Sequence, residues 1–115
     1  MSKVFNFKAY IVSVLRRASY RNPQRSEALK RARIDRNSYM CTECLKLFPR
    51  KGIAIDHKEP VVRTTGWVSF DDFITRLFCG VDGLQVLCKE DHKRKTQVEN
   101  KLRRENAKAS KLPLS

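Results

Sequence analysis

Cys41-Thr42-Glu43-Cys44 can turn two thiolates toward one ion from a single tight turn. Structural zinc takes four ligands in a tetrahedron, so a second pair at the same spacing is expected further along the chain. Cys88-Lys89-Glu90-Asp91 offers it, with a carboxylate in the last place. Carboxylate oxygen also ligates zinc, although four thiolates would hold it better. Cys79 is the competing fourth ligand, but Leu77-Phe78-Cys79 equally suits a small buried core residue. The expectation is a structural zinc on Cys41, Cys44, Cys88 and either Asp91 or Cys79; the alternative is a metal-free fold held by its core. A C-x-x-C pair without a signal sequence or a dense cysteine framework points to metal or redox chemistry rather than to disulfides.

The chain has only two histidines, and each follows an aspartate: Asp56-His57 and Asp91-His92. Taken singly, Asp56 reads as a turn residue, His57 as a surface histidine, and His92 as a replacement for Asp91 in the zinc half-site.

These residues lie in a nearly neutral centre between two basic arms. Residues 1–40 carry ten Lys or Arg against two acids, residues 41–92 seven against eight, and residues 93–115 eight against two. A net charge of +13 on 115 residues marks a polyanion partner. The bland alternative is a solvated surface that keeps the protein soluble. The cations expected to meet phosphate are Arg31 and Arg33 in the first arm, then Lys93, Arg94, Lys95, Arg103 and Arg104 in the second. Such contacts grip the backbone without reading bases.

The length allows one domain. No apolar run approaches the roughly 18 residues of a membrane span. Ala9 to Leu15 is broken by Tyr10 and Ser13 and followed by Arg16 and Arg17, the wrong order for a signal peptide. The expectation is a soluble, cytoplasmic protein with no membrane partner.

Tyr10, Ile11, Val14 and Leu15 recur at helical spacing, which predicts an amphipathic helix over about Phe7 to Ala18. Asn22-Pro23 predicts the start of a second helix, running to about Ile34 with Ala28, Leu29 and Ala32 inward. A strand is expected over 52–55, ending at Asp56-His57, and another over 84–87. Between them Trp67 reads as a packing anchor and Ser69 as the N-cap of a helix with Asp71 and Asp72 in its first turn. From Lys89 to Pro113 the chain reads as one long basic helix.

In order, the motifs are C-x-x-C at 41–44, Asp56-His57, Leu84-Gln85-Val86-Leu87-Cys88 and Asp91-His92-Lys93-Arg94-Lys95-Thr96. This series resembles the HNH endonucleases of the ββα-metal (His-Me finger) type, whose pattern runs C-x-x-C, D-H, then L-Q-x-L-C-x-x-C-H-x-x-K-T. The likeness covers residues 39–96. The arginine-rich lead-in resembles that of small HNH proteins carried by tailed bacteriophages.

The resemblance implies an α+β fold: a zinc-supported ββα-metal core over 39–96, a basic helical extension over 1–38, and a basic helix and tail over 97–115. It implies that His57 is the general base, since imidazole accepts a proton near neutral pH. Asp56 and His92 would hold a divalent catalytic metal, Mg²⁺ or Mn²⁺, with Ni²⁺ or Zn²⁺ as alternatives. Lys95, one turn after His92, would contact a phosphate. The activity implied is hydrolysis of DNA, in a phage-encoded protein of the host cytoplasm tied to packaging or homing.

Two residues depart from the pattern. Gly83 stands where the middle asparagine organises the loop, with Asp82 as a substitute hydrogen-bonding group, and Asp91 stands for the last zinc cysteine. The alternatives are a non-catalytic zinc module that binds DNA or docks in a packaging machine, and an RNA-directed role. A homodimer is left open.

Overall fold

Asn6 opens the first helix: its Oδ1 accepts the Ala9 N–H at 3.0 Å, and α1 runs Phe7–Ser19. Asn22 repeats the device on Gln24 at 3.1 Å, with Pro23 as the first residue of α2 (Pro23–Ala32). The computed structural model describes residues 5–111. Its other elements are β1 (Arg33–Asp35), β2 (Ser38–Met40), β3 (Leu47–Phe48), β4 (Ile53–His57), α3 (Phe70–Leu77), β5 (Leu84–Cys88) and α4 (Lys89–Lys111). The fold is α+β.

β4 and β5 form an antiparallel pair, with Asp56 opposite Gln85 and His57 opposite Leu84. α4 follows β5 directly and packs on both strands. Side chains alternate on a strand, so Asp56 faces α4 while His57 faces the end of α3. α3 begins as its residues predict, with Ser69 Oγ accepting from the Asp72 N–H at 3.0 Å. Beneath it, Val61, Phe73 and Leu77 form a buried cluster covered by Val12 and Leu15 of α1 and by Trp67. Trp67 is the packing anchor, with its ring 5.3 Å from that of Phe73. A second buried cluster joins Cys41, Leu87 and Cys88.

Three local expectations change. α2 ends at Ala32 rather than near Ile34, because Asp35 Oδ1 accepts the Asn37 N–H at 2.9 Å and turns the chain into the β1–β2 hairpin. The β3 strand, paired with β2, was not foreseen either. On α1 the side turned to the core carries Val12, Leu15 and Ser19, while Tyr10, Ile11 and Val14 stay exposed. Its neighbours cover only one flank of a helix that is apolar around more than one stripe. α4 continues unbroken through 96 and 97. No helix among the described residues is long and apolar enough to cross a membrane.

Gly83 has a steric reason. A Cβ there would lie 2.7 Å from Cys79 Sγ and 3.0 Å from Cys79 Cβ. The loop is tied instead by backbone, with Lys58 N–H donating to Gly83 O at 2.8 Å. Asp82 does not replace the asparagine: its side chain is 96% exposed and, among the described residues, pairs with Arg31 at 3.3 Å rather than with the loop. Gly83→Asn is therefore expected to cost about 1–3 kcal/mol by overpacking, read as a lower melting temperature. Adding Cys79→Ala should recover part of the loss, because the sulfur contact goes and the Cβ contact stays. An unchanged melt in Gly83→Asn would contradict this account.

Candidate functional site

The first group of chemically active residues is the sulfur cluster. The turn after β2 carries Cys41 and Cys44, closed by Leu45 N–H donating to Cys41 O at 2.9 Å with Leu45 in the left-handed region at φ 61°. The end of β5 supplies Cys88, and the first turn of α4 supplies Asp91. Thr42 N–H donates to Val86 O at 2.8 Å and clips the turn onto β5. One ligand atom from each of Cys41, Cys44, Cys88 and Asp91 lies within 4.8 Å of the others, and three of the four residues are buried. Ligands about 2.0–2.3 Å from one zinc in a tetrahedron stand roughly 3.5–3.8 Å apart, so a small closure would seat an ion. This group could hold a metal ion such as zinc. Cys79 is not part of it; it stands beside Gly83, and burial raises its thiol pKa.

The protons in this cluster are shared. Cys41 Sγ donates to Asp91 Oδ2 at 3.3 Å, and Asp91 N–H donates to Cys88 Sγ at 3.4 Å. Hydrogen bonds from Cys41 and Cys88 hold the Asp91 carboxyl below its ordinary pKa. Burial pushes the Cys88 thiol up to about 11. A metal ion would have to displace that proton. The other carboxylate oxygen, Asp91 Oδ1, accepts from Arg94 Nη1 at 3.0 Å. Arg94 thus holds the Asp91 carboxylate from behind and offsets its charge. Arg94→Met is expected to weaken zinc binding by about 10–100-fold, the effect of losing a partner of a metal ligand. Chelator competition measures it, and an unchanged affinity would remove Arg94 from this role.

The second group lies on the two faces of β4. His57 Nε2 is 2.9 Å from Leu77 O. Because a carbonyl can only accept, Nε2 carries the proton and Nδ1 is the free acceptor in the neutral ring. Asp56 Oδ2 accepts from Lys95 Nζ at 3.0 Å and Gln85 Nε2 at 3.3 Å. Asp56 Oδ1 faces His92 Nε2 at 3.6 Å, beyond a good hydrogen bond. Two adjacent ligands of one octahedral ion at 2.0–2.1 Å stand about 3 Å apart, so the donor pair fits a divalent cation with little movement.

Lys95 departs from its expected place. Its ammonium meets Asp56, Glu99 Oε2 at 2.7 Å and His57 O at 3.0 Å, which occupies all three donors. Burial alone would lower its pKa, but Glu99 and Asp56 outweigh that and hold it above the ordinary lysine value. Its charge is therefore met by carboxylates within the chain. Other expected phosphate contacts are also engaged within the chain. Arg31 pairs with Glu27 and Asp82, and Arg33 donates to the Asp35 and Arg36 carbonyls of its own hairpin. Arg94 meets Asp91 and Glu90, and Arg103 donates to Val62 O and Asn100 Oδ1. Lys93 and Arg104 are exposed on α4.

Sequence reasoning did not bring three other arginines to this site. Asp56, His57 and His92 line a cleft of about 450 Å³ whose wall includes Arg16, Arg25 and Arg50. These come from α1, α2 and the turn before β4, and nothing local in the sequence marks them as neighbours. Glu99, the partner of Lys95, was missed as well; its only signal was the i,i+4 spacing. The chain matches no protein-family model, no curated protein and no solved structure.

Proposed function

We propose that the protein is a metal-dependent endonuclease of the HNH type that hydrolyses phosphodiester bonds of DNA. The observation that carries this reading is the convergence of His57, Asp56 and His92 on one arginine-walled cleft, with His57 held by Leu77 O so that Nδ1 is the basic nitrogen. His57 Nδ1 would take a proton from the water that attacks phosphorus. Asp56 Oδ1 and His92 Nε2 would hold Mg²⁺ or Mn²⁺, or alternatively Ni²⁺ or Zn²⁺, and such an ion supplies charge stabilisation at the leaving oxygen. Lys95 and Gln85 keep Asp56 Oδ2 occupied, which leaves Oδ1 as the ligand atom. The Cys41/Cys44/Cys88/Asp91 group would hold a structural zinc joining the turn, β5 and α4.

The resemblance to small phage proteins suggests a phage-encoded enzyme acting in the host cytoplasm, in packaging or homing, alone or as a homodimer. One observation favours a second reading, that of a non-catalytic zinc module binding DNA or a packaging machine. The ammonium of Lys95 already sits on the proposed ligand Asp56. Supercoiled plasmid incubated with zinc-loaded protein and Mg²⁺ or Mn²⁺ distinguishes them. Relaxed or linear product that needs the added ion supports the nuclease; tight binding with no product under either ion supports the second reading.

A further inference from the structure

Two depressions adjoin at Asp56 and His57. One, about 450 Å³, is walled by Arg16, Arg25 and Arg50; the other, about 410 Å³, extends along α4 past Lys95, Glu99 and Arg103. Arg16, Asp56, His57 and Val61 line both. None of Arg16, Arg25 and Arg50 is paired with a carboxylate among the described residues. This sets them apart from Arg31, Arg94 and Lys95, whose charge is already answered. Two of them are also held by aromatic rings. The Arg16 guanidinium lies 5.4 Å from the Phe73 centroid, and that of Arg25 lies 5.2 Å from the Tyr20 centroid. A guanidinium resting on a ring keeps its N–H edge available, and that fork matches two oxygens of a phosphate.

We infer that the two depressions form one trough for the phosphodiester backbone of a DNA strand, with Arg16 on the phosphate nearest His57 and Arg25 and Arg50 on phosphates to one side. The role of Arg16 in cleavage rests on the nuclease reading; the trough itself does not. The cations that grip the substrate at the site then come from α1, α2 and the turn before β4 rather than from the cationic face of α4. Arg16 is a phosphate-contacting residue that the HNH-like segment at 39–96 does not contain.

The test measures anisotropy of a labelled short DNA duplex in a His57→Ala background, across salt concentrations. Arg16→Gln should weaken binding by about tenfold or more, the value of a charge-assisted contact. It should also flatten the slope of log K against log salt by about 0.9. Arg50→Gln, on an exposed turn, should do the same and carries the test if Arg16→Gln melts early. Lys46→Gln and Lys101→Gln, outside the trough, should change affinity less than about twofold. Arg16→Lys should recover the salt slope without the full affinity, since it restores charge but not the fork.

If Arg16→Gln and Arg50→Gln match the Lys101→Gln control in affinity and slope, the trough is wrong, whether or not the wild type cuts DNA. If the wild type cuts nothing but these two variants lose affinity, the nuclease reading fails and the trough stands.

Discussion

With His57 changed to alanine, the protein is expected to bind plasmid DNA as tightly as the wild type and to leave it uncut. A positioned general base contributes about 10²–10⁴-fold to rate, so the residual activity should fall below what a plasmid assay detects. Binding should survive because the His57 ring hydrogen-bonds a backbone carbonyl, Leu77 O, and because the cations on the cleft wall remain. The structural consequence is small, since His57 is only partly buried and its carbonyl, not its ring, receives Lys95. Gel shift and plasmid cleavage run side by side read both halves of the expectation. Full cleavage by His57→Ala would end the assignment of the base. Loss of binding together with cleavage would make His57 a DNA contact instead.

Cys41→Ser and Cys44→Ser are each expected to abolish stoichiometric zinc and the cooperative melt. In small domains the free energy of metal binding is folding free energy, and a core this size depends on such a staple. Cys41 is fully buried and belongs to the same cluster as Leu87 and Cys88, so loss of an ion held there would loosen the turn, β5 and the start of α4 together. Those elements also position Asp56 and His92, so activity should vanish with the fold. Zinc affinity in the wild type should weaken as pH falls. The ligand thiols must lose their protons to bind, and burial has pushed Cys88 up to about 11, so each step toward acid favours the protonated cluster. Elemental analysis and thermal melts check the variants, and chelator competition at two pH values checks the sign. Zinc-free wild type together with a normal melt in Cys44→Ser would dismiss the metal centre.

Much of this architecture was legible because its signals are local. Asn22-Pro23 and Ser69 start helices where their side chains can reach a free N–H two or three residues on, whatever else the fold does. The sulfur cluster was legible for a similar reason: C-x-x-C and C-x-x-D each place two donors in one turn, and only their meeting needed the fold. The choice of Asp91 over Cys79 did need it, because nothing in the spacing says that Cys79 packs against Gly83. The β1–β2–β3 sheet escaped notice because strands of two or three residues leave no measurable alternation.

Charge was the least legible property in detail. By itself the sequence determined that the chain is strongly basic, with two cationic arms around a neutral centre that holds every cysteine and histidine. It could not say which cations are spent inside the molecule. Lys95, on the motif, turned to Asp56 and Glu99, while Arg16, Arg25 and Arg50, outside it, came to the cleft. Whether a cation is free depends on which carboxylates and carbonyls lie within about 4 Å. That distance is fixed by the packing of α1, α2 and α4 against β4, which sequence spacing does not contain.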